Sequence, residues 1–471
     1  MLGATLTVSA LLAFAPPAHR VATRVATPRA ATRAATAVRA PPAVHTPNFL
    51  DADSARRVAA AAGTPCFVYD AKTLAAQART ALAFPNAYGL TVRFAMKACP
   101  NRAVLQLFGS MGLQIDASSV HEVRRAMLAG LPASAISISS QELPSEAEIA
   151  EVVGLGVSVN ACSLAQLERF GRACTGGKVG LRINPGVGSG GTGKTNVGGP
   201  SSSFGIWHEL LPQAQALLQQ YRLTCERVHT HIGSGSDPAV WQSVADLTLG
   251  LAAQLPDVRT VNLGGGFKVG RMEDEPSTNM ATVGEPVKAA FEAFAAKHGR
   301  ELKLEIEPGT FLVANAGALL ARVQDEMSTG EGGHDFLKLD AGMTELLRPS
   351  LYGARHPIAT LPALPEAAPG PVRSFIVSGH CCESGDLLTC APGEAETLEP
   401  RPMLAPKLGD FVVIDGSGAY CSGMSAKNYN SFPECPEVLL DAAGVPHVVR
   451  AKQTLEQMLA NEAGLPDGFS V

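Results

Sequence analysis

The stretch VRFAMKACPNRAVLQLFGSMGLQIDASSVHEVRRAMLAG, residues 92–130, decides the fold. VRFAMKA and LQIDASS are short apolar runs of the kind that form buried parallel strands. Each leads into a segment whose apolar residues recur three and four apart, as on an amphipathic helix. The alternation continues in both directions. Upstream, PCFVYD (65–70) precedes the helical AKTLAAQARTAL (71–82). Downstream, AISISS, VSVNACS, KVGLRINP, CERVHTHIG, VRTVNLGGG and LKLEIEPG read as strands, with helical stretches such as PSEAEIAEVVGLG and AVWQSVADLTLGLAAQL between them. Strands about 25–30 residues apart with helices between them mean repeated βα units and a parallel sheet. About eight such units fit residues 70–320. An open Rossmann-type sheet is the alternative, but eight units without a clear midpoint favour closure into an α/β (β/α)8 TIM barrel.

Beyond residue 320 the texture changes. ALLARVQDEM, DFLKLDAG, VRSFIVSG, GDFVVIDGSGAY, EVLLD and HVVRAKQ are strand-like and separated by Gly/Pro turns, which predicts a C-terminal antiparallel β domain. The Pro/Ala-rich segment 357–371 reads as a surface loop, and only TLEQMLANE near the end reads as helical. The expected domains are therefore a segment 1–45, a barrel over 46–320 and a β domain over 321–471, to which residues 46–68 are joined.

The length of 471 residues accommodates one large and one smaller domain. Charged residues make up 17% and the net charge is −5, which excludes a disordered chain and argues against nucleic acid as a partner. No apolar run reaches the roughly 18–20 residues of a membrane span, so no membrane association is expected of the mature protein. Ten Cys at irregular spacings, with no CxxC pair, fit neither a disulfide scaffold nor a zinc ribbon and point to a reducing compartment.

The average charge hides an asymmetry. Residues 1–50 carry five Arg (20, 24, 29, 33 and 39), no Lys and no acid, and the first carboxylate is Asp51. An apolar run, LTVSALLAFA, is followed by PPAHR and the Arg-dotted stretch. That order resembles the bipartite presequences of plastid proteins and predicts a removable address to the plastid (chloroplast) stroma. A mitochondrial address and a disordered tail are the other readings. Removal of the first 45 residues takes away five Arg and leaves 33 basic against 43 acidic residues, a net charge of −10.

In a barrel, functional groups gather at the C-terminal ends of the strands. The polar residues there are Lys97, Asp116, Asn160, Arg182, His231, the glycines Gly264, Gly265 and Gly266, and Glu307. A lone Lys is usually a surface residue, but Lys97 follows an apolar run and should point into the barrel mouth. A partly buried Lys has a lowered pKa and is an amine nucleophile able to form a Schiff base. The glycines offer bare backbone N–H groups for a phosphate, to which Ser234 and Gly309 could add donors. His231 alone reads as readily as a core residue. Glu307 could pair with a protonated ring nitrogen. A Schiff-base Lys, a phosphate cradle and a carboxylate for a pyridinium are together what pyridoxal phosphate requires.

FAMKACPN (94–101), HTHIGSGSD (229–237), NLGGG (262–266), EIEPG (305–309), HCCESGD (380–386) and DGSGAY (415–420) occur in the order found in the barrel-type pyridoxal-phosphate decarboxylases of ornithine, arginine and diaminopimelate. LRINPGVGSGGTGKTNVGGPSSSFGIW (181–207), LLRPSLYG (346–353) and MSAKNYNSFPECPEVL (424–439) resemble the bacterial-type diaminopimelate branch most. The likeness covers residues 60–460. Alanine racemase shares the barrel and cofactor, but the CESGD segment does not fit it.

The resemblance implies pyridoxal 5'-phosphate as cofactor and decarboxylation of meso-2,6-diaminopimelate to L-lysine, the last step of lysine biosynthesis. By matching position, Lys97 resembles the cofactor lysine, and His231 would stack on the ring. Glu307 would hold the ring nitrogen protonated, and Asp116 would lie near Lys97. Ser234, Gly264, Gly265, Gly266, Gly309 and the Tyr420 hydroxyl would bind phosphate. Cys382 would act as the acid that protonates Cα, and with Glu383 it would reach the neighbouring subunit's site, which implies a homodimer with shared active sites. Arg348, Tyr352, Glu383 and Tyr420 match the residues that hold the distal end of the substrate.

One position departs from the pattern: the Arg expected after EPG is Thr310. An Arg–carboxylate fork contributes about 1.5–3 kcal/mol, and Thr cannot replace its charge. Either Arg348 or another nearby cation holds the distal carboxylate, or the substrate lacks one, as in ornithine, lysine or arginine. A non-catalytic cofactor-binding barrel is a reading of another class, against which the C-terminal domain argues. His380, Cys381, Cys382 and Glu383 do not read as a metal site, because adjacent strand residues face opposite ways and no second cluster completes the set.

Overall fold

A computed structural model of the chain describes residues 44–188, 198–233 and 235–470. The predicted presequence through residue 43 and the phosphate candidate Ser234 lie outside the described residues.

Eight parallel strands close into a barrel: β2 (Leu90–Ala95), β3 (Gln114–Ala117), β4 (Ile136–Ser139), β5 (Ser158–Ala161), β6 (Lys178–Asn184), β8 (Thr224–His229), β9 (Thr260–Asn262) and β10 (Lys303–Ile306). β10 pairs with β2 at Leu304↔Leu90, and β5 pairs with β6 at Asn160↔Gly180, which joins the strands into a ring. A short strand β7 (Ile206–Trp207) extends β6. Local chemistry marks each strand-to-helix switch. Asn101, Ser119, Ser145, Ser163, Asp237 and Asn279 each cap the following helix by accepting an N–H bond from its first turn.

The second domain is a nine-stranded sheet ordered β17 (Arg401–Leu404), β14 (Val372–Ser378), β12 (Asp335–Leu339), β11 (Gly317–Ser328), β1 (Cys66–Asp70), β19 (Glu437–Leu440) and β20 (Pro446–Arg450). Its β18 (Phe411–Ile414) pairs with β11 and with β13 (Ile358–Leu361). Pairing is antiparallel except at β1–β19 and β12–β14.

Two sequence expectations are corrected. PCFVYD, read among the strands of the βα series, is not a barrel strand, in line with the joining of residues 46–68 to the β domain. It forms β1 between β11 and β19, so the ring of barrel strands starts at β2. Its unbroken apolar run has a different cause: both faces are covered. Cys66 and Val68 pack with Leu50, Val58 and Phe411 under the helix Ala52–Ala62, while Phe67 and Tyr69 face the barrel core. The second sheet thus holds the chain as far as Asp70 and takes it back at Gly317. The expected loop 357–371 contains β13, whose Ile358 and Ala359 are buried, because β18 offers an edge for it to pair with.

Candidate active site

β2 runs into a 3-10 turn, Met96–Ala98. Met96 and Ala98 are buried, and Lys97 between them opens into the barrel mouth, its ammonium ringed by protein groups that withdraw it from bulk water. The second domain closes over this turn: the Tyr420 N–H donates to the Ala98 carbonyl at 2.8 Å. Tyr420 has φ 56°, a left-handed backbone that a bulky residue adopts only under constraint. A Cβ on Gly309 would lie 3.3 Å from its hydroxyl, so the Glu-Pro-Gly turn and Tyr420 meet beside Lys97.

The barrel interior is layered by strand periodicity. Glu305 forms ion pairs with Arg93 at 2.9 Å and Arg227 at 2.8 Å. Two residues on, and on the same face, Glu307 accepts a hydrogen bond from Asn262 Nδ2 at 2.6 Å. It lies 3.3 Å from His229 Nε2, too poorly aligned for a formal hydrogen bond. Burial opposes the Glu307 charge, but His229, His231 and Asn262 hold the carboxyl well below the usual range. Asp116 behaves oppositely: burial and Glu307 push it well above the usual range, against the pull of Lys97 and Arg182. The proton affinities of two carboxyls in one enclosure are thereby driven apart, Asp116 upward and Glu307 downward. Burial, Arg182 and Lys97 push His231 well below its ordinary value, so its imidazole is neutral at pH 7.

Lys97 corrects a sequence expectation. Burial lowers its proton affinity, but Tyr420 and Asp116 outweigh burial, helped by Glu307, and the ammonium is raised above its ordinary 10.5. Desolvation alone would have given the lowered value expected; the acidic groups around the ammonium reverse it.

The glycine turn is also resolved residue by residue. Gly264 and Gly266 have φ of 70° and 104°, which only glycine adopts freely. The Gly264 N–H is spent on Asn262 Oδ1 at 2.7 Å, so Gly264 shapes the turn and is not a free phosphate donor as expected. Among the described residues the N–H groups of Gly265 and Gly266 have no protein acceptor. Beneath the turn Trp241 stacks on Phe267 at 4.3 Å, fixing the loop to the core. A Cβ on Gly265 would lie 2.4 Å from the Glu307 carbonyl oxygen. Gly265→Ala is expected to cost about 1–3 kcal/mol, read as a lower Tm together with weaker cofactor retention on dialysis.

These features fit a flat, anionic, pyridine-type group. Asp116 Oδ1 is buried with no hydrogen-bond partner, two free N–H groups sit at a cradle that side chains would fill, and an ionised carboxylate faces a neutral imidazole. His229, His231 and Glu307 also bring ligand atoms within 4.8 Å of one another, a spacing open to a metal ion.

The family profile described as "Pyridoxal-dependent decarboxylase, pyridoxal binding domain" matches residues 72–314. The chain is 37% identical to the diaminopimelate decarboxylase of Streptomyces coelicolor over 91% of this chain and 96% of that one. It is 36% identical to that of Escherichia coli K12 over 88% and 97%. It belongs to the diaminopimelate decarboxylase family. A crystal structure of a diaminopimelate decarboxylase superposes with a TM-score of 0.80 at 36% identity, covering 87% of this chain and 96% of that one. The Helicobacter pylori diaminopimelate decarboxylase, solved in complex with L-lysine, superposes with a TM-score of 0.73 at 27% identity, covering 84% and 96%.

The other predicted residues of this decarboxylase lie in the second domain or next to it. Arg348 opens a short helix, Arg348–Tyr352, with its guanidinium 5.7 Å from the Tyr352 ring centre. Thr310 starts the turn Thr310–Val313 after Gly309. Cys382 and Glu383 are exposed: the Cys382 N–H donates to Asn430 Oδ1 at 2.8 Å, and Glu383 accepts from the Gly385 N–H at 3.1 Å and from Tyr429 at 3.3 Å. Burial and Asp386 push the neighbouring Cys381 thiol up to about 12, so Cys382 is the open thiol of the pair. Sequence reasoning missed His229 and Asn262 as Glu307 partners. Strand alternation carried the signal, since His229 shares a face with His231 and Glu305 with Glu307.

Proposed function

We propose that the chain decarboxylates meso-2,6-diaminopimelate to L-lysine and carbon dioxide with pyridoxal 5'-phosphate as cofactor. The observation that carries this reading is the convergence of Lys97, Asp116, His231 and Glu307 at one barrel mouth. Relatives 36–37% identical over about nine-tenths of the chain support it against the ornithine, lysine and arginine alternatives.

The cofactor, when bound, supplies an electron sink for the pair left behind when the bond from Cα to its carboxylate breaks. Lys97 would hold the cofactor through its amine, at the position where the substrate amine is also presented. Glu307, held ionised, would keep a proton on the ring nitrogen, and the neutral His231 would stack on the ring. Gly265, Gly266, Gly309 and the Tyr420 hydroxyl would hold the phosphate, joined by Ser234 as the resemblance implies, and Asp116 would lie beside Lys97. Arg348, Tyr352 and Glu383 hold the distal end of the substrate. Cys382 of a second copy of the chain delivers the proton to Cα. Its exposure and that of Glu383 support a homodimer with shared sites. In the same reading the Arg-dotted N-terminal segment directs the protein to the plastid.

The test is carbon dioxide release by the purified chain from meso-diaminopimelate, L-ornithine, L-arginine, L-lysine and D-lysine. Turnover of meso-diaminopimelate alone is expected. Its absence overturns the reading, and a cofactor absorbance band with no turnover of any of the five would favour a non-catalytic carrier.

A further inference from the structure

Two guanidinium groups near the site have no counterion. Arg271, on the loop after the glycine turn, and Arg348 take part in no ion pair among the described residues. Neighbouring arginines each have a counterion: Arg355 pairs with Asp274 at 2.8 Å and Arg401 with Glu399 at 2.8 Å. Arg271 Nε donates to the Gly416 carbonyl at 2.8 Å, and the Arg271 stem packs where a Gly416 Cβ would stand. That fixes the side chain against the DGSGAY loop that carries Tyr420. Its Nη2 is buried without an acceptor, as is Arg348 Nε.

The two charges act on one another. Burial and then Arg348 push Arg271 down to about 10, and Cys421, Glu275 and Tyr420 pull the other way. His356, buried between the barrel loop and the second domain, is pushed well below its ordinary value by burial, then by Arg271, then by Arg348. Glu275, the acid close to Arg271, accepts the Arg271 and Met272 N–H groups and faces Arg355, so it does not neutralise the pair. Two like charges with orphaned donors cost stability unless an anion joins them.

We propose that Arg271, together with Arg348, binds the distal carboxylate of the substrate, supplying the charge that Thr310 lacks. This deepens the reading above and rests on it, because only a substrate with a second carboxylate uses the pair. The ligand group is a carboxylate at the end of the substrate remote from the bond that breaks. Arg271 is therefore a specificity residue and not a catalytic one.

The test uses the holoenzyme and Arg271→Gln, which keeps a donor for Gly416 and removes the charge. The KM for meso-diaminopimelate and the dissociation constant of L-lysine, which retains the distal carboxylate, are expected to rise about 10- to 100-fold. Cadaverine, which has none, should bind as to the wild type, kcat should change by no more than a few-fold, and cofactor affinity should be unchanged. Arg271→Lys should fall between, since it keeps charge without the fork. Thr310→Arg added to Arg271→Gln should recover most of the loss. An unchanged KM, equal weakening of L-lysine and cadaverine, or loss of cofactor affinity would overturn the assignment. If the wild type turns over no diaminopimelate, the functional reading fails. The L-lysine and cadaverine comparison still judges Arg271, because it needs no turnover.

Discussion

Lys97→Ala is expected to release carbon dioxide from meso-diaminopimelate at least about 10³-fold more slowly than the wild type. The amine is the covalent anchor of the cofactor in the proposed mechanism, and Arg182, the other cation beside Asp116, cannot take its place because a guanidinium stays protonated. The fold should survive. Lys97 projects from a 3-10 turn toward the mouth, while Met96 and Ala98 on either side carry the packing. A Tm within a few degrees of wild type separates this from collapse of the barrel. The same residue sets a pH limb. Because its ammonium is raised above 10.5 in the cofactor-free protein, the reactive free amine grows about tenfold per pH unit between pH 7 and 9. Cofactor uptake by wild type should accelerate accordingly, and the variant should lack that limb. Retained turnover in Lys97→Ala would remove the residue from the mechanism.

The variant also tests assembly. Mixed with an equal amount of an inactive Cys382→Ala chain, it should recover about a quarter of wild-type activity if each site takes Lys97 from one copy and Cys382 from the other. In a mixed dimer one site then carries both defects and the other neither. No recovery after subunit exchange would place both residues in sites built from one chain.

The barrel was legible because its signals are local. Apolar strands, N-cap residues such as Ser145 and Ser163, and helical spacing repeat along the chain and need no knowledge of the partner sheet. β1 misled for the same reason. A five-residue apolar run looks alike in a barrel and in a sheet buried on both faces, and its partners β11 and β19 lie hundreds of residues away. Residue types at strand ends located Lys97, Asp116, His231 and Glu307. Their charge states were not legible, because those are set by mutual position: Asp116 is raised by Glu307, and Lys97 by Tyr420 from the other domain. Arg271 illustrates the limit most directly. Nothing in GFKVGRMEDE distinguishes it from a surface Arg until Gly416 and Arg348 are brought beside it.

Glu307→Gln is expected to lower kcat about 10²–10³-fold with a smaller change in KM. Gln is the same shape and can still accept the Asn262 hydrogen bond now made at 2.6 Å, so the barrel layer above Glu305 should keep its geometry. What is lost is a full negative charge opposite the cofactor ring nitrogen. A neutral amide cannot hold a proton there, and the electron pair released at Cα then meets a weaker sink. The charge is present under all working conditions. Glu307 lies far below its ordinary 4.5 in the folded chain, so the stabilisation it gains on folding is complete above about pH 4.5 and is lost only as the pH falls through the much lower folded value. Its titration therefore cannot produce an activity limb near neutrality, and the variant should be slow at every pH from 6 to 9 rather than shifted along the pH axis. His229 gives a second readout. Glu307 is the group that raises its proton affinity against burial, so in the variant the imidazole titration should move further down from 6.5. A Glu307→Gln chain with wild-type kcat, or one whose loss disappears at a different pH, would show that the ring nitrogen does not depend on this carboxylate.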